Sequence, residues 1–136
     1  MSVSAMDKIM SPASMAVIGA SSREHTIGFD IMKNLQKYGY SGTIYPINPK
    51  DSEIQGLKAY PSVLDVPGPI DMAVIVINSK FVLSTIDQCH QKGIKGVVII
   101  SAGFKETGPA GKQLEEALVA KLHEYGMTCV GPNCLG

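Results

Sequence analysis

The sequence predicts an α/β domain, doubly wound around a parallel sheet of about five strands. Two observations carry this. Short apolar runs alternate along the chain with segments of helical periodicity. Three helical segments also end at Tyr38-Gly39, Lys92-Gly93 and Tyr125-Gly126, each just ahead of an apolar run. Glycine at those places accepts the left-handed backbone that closes a helix. Strands alternating with helices imply right-handed crossovers and helices on both sheet faces. Numbering the strands along the chain, the expected order is 3-2-1-4-5, with the first strand central.

Residues 1–14 read as an extended or weakly helical lead-in, and 15–136 as the domain. Met15 to Gly19 is a short buried strand. Ile27, Ile31 and Leu35 fall at i, i+4 and i+8 of a helix capped by Thr26 and stopped by Gly39. Thr43 to Ile47 is the second strand. A turn-rich stretch follows from Asn48 to Pro69, with one helical turn over Ser62 to Asp65. Asp71 to Ile77 and Gly96 to Ser101 are almost wholly apolar, as strands covered on both faces are. Between them a helix turns Val82, Ile86 and Cys89 inward. Leu114, Leu118 and Leu122 mark the last helix, and Met127 to Val130 the fifth strand.

The bulk properties narrow the function. The 136 residues suffice for one domain with a real core. With 45% hydrophobic and 18% charged residues the chain is globular. Lys+Arg and Asp+Glu are both 12, so the basic excess of a protein that tracks a nucleic-acid backbone is missing. Any phosphate site must be local. The apolar runs are too short to span a bilayer. Cys89, Cys129 and Cys134 form no CxxC pair and no signal-like segment opens the chain, which points to a reducing cytoplasm. Cys129 reads as core. Cys134 lacks a nearby histidine to activate it as a nucleophile. His25, His90 and His123 have no ligand spacing, so no metal site is expected.

In such a sheet, ligands lie beyond the carboxyl ends of the strands. After the first strand comes Gly19-Ala20-Ser21-Ser22-Arg23-Glu24-His25-Thr26-Ile27-Gly28. This small-residue loop opens a helix, where backbone amides favour an anion; it also reads as a plain strand-to-helix turn. It is longer than a GxGxxG turn, so a wider loop is expected. The second strand ends in Tyr45-Pro46-Ile47-Asn48-Pro49-Lys50. An NAD site has an acid here. Lys50 instead suits a phosphate on an adenosine ribose, as in CoA or NADP, or is a solvated loop lysine. Ile77-Asn78 and Ser101-Ala102-Gly103 end the third and fourth strands, with room for a ligand; Ser79 caps a helix or touches that ligand.

Together these strings resemble one family. They are Ser14 to Ser21, Tyr45 to Lys50, Tyr60-Pro61-Ser62-Val63, Ala73 to Val76, Ile100 to Glu106 and Gly131-Pro132-Asn133-Cys134-Leu135-Gly136. In order and spacing they are similar to the CoA-binding, Rossmann-like N-terminal domain of NDP-forming acyl-CoA synthetases, related to the succinyl-CoA synthetase alpha subunit. The resemblance implies that Gly19, Ala20, Ser21, Ser22, Arg23 and Gly28 form the loop along the CoA phosphates. It implies that Lys50 meets a CoA phosphate. Ile77, Asn78, Ser101, Ala102 and Gly103 would border the nucleotide and pantetheine. Family members often carry proline where Asn78 stands, a departure at the adenine contact. The family's reaction converts acyl-CoA, NDP and phosphate to acid, CoA and NTP through a phosphohistidine. By the resemblance that histidine, and an ATP-grasp nucleotide site, belong to further domains, so Gly136 reads as a boundary within a longer chain. The domain would position CoA and not catalyse alone. Three other readings compete: a regulatory CoA-binding-like domain of a protein acetyltransferase fusion, an NADP-binding domain of an oxidoreductase, and a stand-alone ligand-binding protein.

Overall fold

A computed structural model describes residues 13–37, 42–77, 81–100 and 109–130. Its main sheet contains β1 (Ser14–Ile18), β2 (Thr43–Ile47), β5 (Met72–Ile75), β6 (Gly96–Ile99) and β7 (Thr128–Val130). All four pairings are parallel. The helices are α1 (Ile27–Lys37), α2 (Val82–Lys92) and α3 (Pro109–Glu124). β1 and β5 are buried at every position, as their unbroken apolar runs require of strands covered on both faces.

The order is β2-β1-β5-β6-β7. Counting only these five strands it is 2-1-3-4-5, which corrects the expected 3-2-1-4-5, and the third strand is the central one. Two local features exclude the expected order. The outer edge of β2 carries Pro46, whose carbonyl accepts from the Tyr60 amide at 2.9 Å. Along a strand, one residue's N–H and C=O point the same way, so proline's missing donor lies on that edge, and a full strand cannot pair there. Tyr60 closes it as an isolated bridge, returning its own carbonyl to the Asn48 amide at 2.9 Å. The free side of β1, by contrast, is prepared for β5. The Ala13 amide donates to Asp71 Oδ2 at 2.9 Å. Ser14 Oγ donates to the Pro69 carbonyl at 2.9 Å and accepts from the Asp71 amide at 3.0 Å.

The register sets Tyr45, Ala16, Ala73, Val97 and Cys129 in one row across the sheet. With Ile18, Ile75 and Ile99 this face packs on Val82, Ile86 and Cys89 of α2 and Leu118 and Leu122 of α3. The opposite face packs Val17 on Met32 of α1 and on Ile54. Helices therefore cover both faces, as expected. The inward stripe of α1 differs slightly from the expected one. Ile27 is exposed, whereas Gly28 and Met32 are buried, with Ile31 and Leu35 at their flanks. Thr26 caps this helix, its Oγ1 accepting from the Phe29 amide at 3.2 Å. Gly93 closes α2 at φ 87° and Gly126 follows α3 at φ 65°; Gly39 lies outside the described residues. Ser14 opens β1 and so is not part of a lead-in.

The turn-rich stretch holds one element beyond expectation, a hairpin of β3 (Glu53–Ile54) and β4 (Leu57–Lys58). Its turn residues Gln55 and Gly56 both have positive φ, 49° and 84°, as a tight two-residue hairpin needs. The expected helical turn is a 3₁₀ turn over Val63–Asp65, capped by Ser62 Oγ accepting from the Leu64 amide at 3.2 Å.

Candidate functional site

The strand order reverses between β1 and β5, and a groove of about 490 Å³ opens at their carboxyl ends. Such a switch point is where doubly wound sheets leave a crevice for ligands. Gly19, Ala20, Ser21, Arg23, Thr26, Ile27 and Gly28 supply one wall, Asn48 the second, and Val76, Ile77 and Ile100 the third.

Two close backbone approaches shape the first wall. Gly19 leaves β1 at φ 95°, and a Cβ there would lie 1.9 Å from the Val76 carbonyl oxygen. A Cβ on Gly28 would lie 2.1 Å from the Gly19 carbonyl oxygen. Glycine at both positions lets β1 dock on the end of β5, and lets α1 dock on the loop. The Val76 amide donates to Ile18 O at 2.7 Å, and the Gly19 amide to Ile47 O at 3.1 Å. Within the loop, the Arg23 amide donates to Ser21 Oγ at 3.0 Å, and Thr26 Oγ1 donates to the Arg23 carbonyl at 2.8 Å. His25 turns the exposed tip at φ 69°.

The second wall is organised by Asn48. Its Nδ2 donates to the Ala20 carbonyl at 3.0 Å. Its Oδ1 accepts from the Lys50 and Asp51 amides at 2.8 and 3.0 Å. Ser22 Oγ donates to Asp51 Oδ2 at 3.2 Å, a second tie between the same two loops. The arrangement offers backbone amides at the start of α1 and the Arg23 guanidinium to an anion. Val76, Ile77, Ile100 and Ile27 offer an apolar surface to a less polar portion of the same ligand.

Of the residues the sequence singles out, Gly19, Ala20, Ser21, Arg23, Gly28 and Ile77 come together on the groove. Ser22 and Lys50 sit beside it, on the two loops that Asn48 and Asp51 join, and do not line it. Asn78, Ser101, Ala102 and Gly103 lie outside the described residues, as does Cys134. Sequence reasoning missed Asn48, Thr26, Ile27, Val76 and Ile100 as groove residues. For Asn48 there was a signal: an asparagine at a strand end, ahead of Pro-Lys, commonly folds its side chain onto the amides that follow.

Among the described residues, the groups with shifted proton affinity line no part of the groove. On α2 and α3, Lys121 Nζ and Tyr125 Oη donate to Asp87 Oδ1 at 2.8 and 2.6 Å. These bonds hold the Asp87 carboxyl below its ordinary range and raise the proton affinity of Lys121 and Tyr125. Burial pushes the Cys89 thiol up to about 12.

Fold and groove together define a parallel α/β domain with a crevice at its topological switch point. The chain belongs to the CoA-binding domain family, which matches residues 13–136. It is 49% identical over 131 residues to the alpha subunit of ADP-forming acetate–CoA ligase II from Pyrococcus furiosus, covering 96% of this chain and 28% of that relative. An ADP-forming 4-hydroxybutyrate–CoA ligase from Nitrosopumilus maritimus is 48% identical over 128 residues, covering 94% of this chain and 18% of the relative. The solved structure of a dinucleotide-forming acetyl-coenzyme A synthetase from Candidatus Korarchaeum cryptofilum, in complex with phosphate and ADP, superposes with TM-score 0.87 at 47% identity, covering 94% of this chain and 27% of that one. The chain thus spans less than a third of the length of these relatives. Among the described residues, no helix is long and apolar enough to cross a membrane.

Proposed function

We propose that this chain binds CoA in the groove between β1 and β5, as the CoA-binding part of an ADP-forming acyl-CoA synthetase working in the cytoplasm. The observation that carries the reading is the junction of Gly19, Gly28 and Asn48, which joins an anion-favouring loop to an apolar wall in one crevice. The residues fit such a ligand. The Gly19–Gly28 loop and Arg23 suit the phosphates, and Val76, Ile77 and Ile100 suit the less polar arm. Lys50, held two residues past Asn48, suits the ribose phosphate. Asn78 and Ser101 to Gly103 complete the proposed border.

When bound, CoA supplies the thiol that carries an acyl group. The chain's own residues hold and orient it, a contribution of positioning. Acyl transfer, the phosphohistidine and the nucleotide site fall to further domains or subunits of the parent synthetase.

The test is calorimetric titration of the chain with CoA, dephospho-CoA and NADP, repeated on Lys50→Ala. CoA should bind about tenfold more tightly than dephospho-CoA, as expected for one charge-assisted phosphate contact. Lys50→Ala should erase that preference. Tight NADP binding with indifference to CoA would overturn the reading in favour of an oxidoreductase.

A further inference from the structure

Asn48 bonds within the protein through both ends of its carboxamide. One end holds the loop after β1 through the Ala20 carbonyl, at 3.0 Å. The other end holds the backbone of the loop after β2, through the Lys50 and Asp51 amides at 2.8 and 3.0 Å. The same two loops are tied a second time by Ser22 Oγ donating to Asp51 Oδ2 at 3.2 Å, an exposed bond, whereas the Asn48 bond to Ala20 is partly buried. Asn48 is half-buried and faces the groove, so its bonds are partly shielded from competing water. The loops it joins carry the two positive groups of the proposed site, Arg23 and Lys50. A lysine is a flexible point charge, and its discrimination between ligands depends on where its backbone is fixed.

We propose that Asn48 is the positioning residue for the ribose phosphate of the ligand: it fixes the Lys50 backbone against the loop after β1, so that discrimination for that phosphate runs through Asn48. This rests on the CoA reading above. Two roles separate along the carboxamide. The oxygen end places Lys50 and governs discrimination. The nitrogen end places the Gly19–Gly28 loop and governs affinity for the whole ligand.

Three variants and two readouts test it. Asn48→Ala removes both ends. Asn48→Ser keeps a short acceptor for the Lys50 and Asp51 amides but cannot reach the Ala20 carbonyl. Lys50→Ala removes the cation alone. Amide hydrogen exchange on the ligand-free chain should show Lys50 and Asp51 exchanging about tenfold faster in Asn48→Ala and near the parent rate in Asn48→Ser. Unchanged protection at Val17 and Val74 confirms that each variant is folded. Titration with CoA and dephospho-CoA should then show the preference for CoA lost in Asn48→Ala and kept in Asn48→Ser, with both ligands weakened in the latter. Asn48→Ala combined with Lys50→Ala should lower the preference no further than either alone. Unchanged exchange at Lys50 and Asp51 in Asn48→Ala overturns the proposal. So does a CoA preference that survives in Asn48→Ala while Lys50→Ala abolishes it. A Lys50→Ala chain that keeps its full CoA preference instead refutes the placement of the phosphate at Lys50, and the function reading with it.

Discussion

Gly19→Ala offers the sharpest test of how the groove is built. Two costs arise at this position. A residue with a Cβ at φ 95° pays about 1–2 kcal/mol for the left-handed backbone. The new methyl would also lie 1.9 Å from the Val76 carbonyl oxygen, a separation no pair of non-bonded atoms tolerates, and backbone cannot swing aside as a long side chain can. Relief means parting the loop from β5. That weakens the Val76–Ile18 and Gly19–Ile47 hydrogen bonds, each worth about 1 kcal/mol. The sum is about 3–4 kcal/mol, a large share of the roughly 5–15 kcal/mol that stabilises a domain. Gly93→Ala is the matched control. Its φ of 87° is similar, yet a Cβ there would meet nothing within 4 Å, so only about 1–2 kcal/mol is expected. Thermal unfolding followed by circular dichroism converts these to losses of about 12–16 °C for Gly19→Ala and about 4–8 °C for Gly93→Ala, at about 4 °C per kcal/mol. Equal losses would show that the close approach of Gly19 to Val76 does not exist, and the account of the groove would fall with it.

Three further outcomes follow from other parts of the fold. Ser14→Ala removes the hydroxyl bonded to Pro69 O and the Asp71 amide; the Asp71 amide keeps the Ser14 carbonyl at 3.3 Å, so the loss of the two hydroxyl bonds should cost about 1–2 kcal/mol in urea unfolding. Asp87→Asn should destabilise the chain at neutral pH, and the difference should vanish in acid. The folded carboxyl has its proton affinity lowered from the ordinary value of 3.8, so its contribution is present above that value and lost as pH falls through the lower folded one; a difference that does not shrink as pH falls below 3.8 would refute the role of the Lys121 and Tyr125 bonds. Cys89 is buried, with its thiol pushed up to about 12. It should resist iodoacetamide at pH 8 in the native chain and be alkylated only on unfolding, as mass spectrometry would show.

The strands were legible in the sequence because burial on both faces writes unbroken apolar runs, as in Met72 to Ile75 and Gly96 to Ile99. Helix ends were legible at Gly93 because a left-handed cap demands glycine whatever surrounds it. Strand order was not read correctly, since apolar runs say that a strand is covered and not which strand lies beside it. Yet Pro46 carried part of that answer, marking the outer edge of β2 as unable to accept a full neighbour. The hairpin at Gln55-Gly56 was hidden because two-residue strands leave almost no periodicity. In the site, Gly19 and Gly28 were readable as a loop-to-helix junction. Asn48 was not singled out, because its part depends on a bond to Ala20, 28 residues earlier in the chain.

The corrected order also changes what the groove is. With the first strand central and the third outermost, the loop after β1 would have faced β2 and the fourth strand. With β5 beside β1, the Gly19 backbone presses on Val76, and the residues that join the two strands are the ones that line the crevice. The lack of a Cβ at Gly19 therefore serves packing and site at once. β5 cannot seat on β1 without it, and any side chain there would part the wall from the loop. Packing and ligand contact are separate pressures in many domains, with core residues serving the first and loop residues the second. At the junction of β1 and β5 strand packing and the shape of the crevice fall on the same backbone atoms.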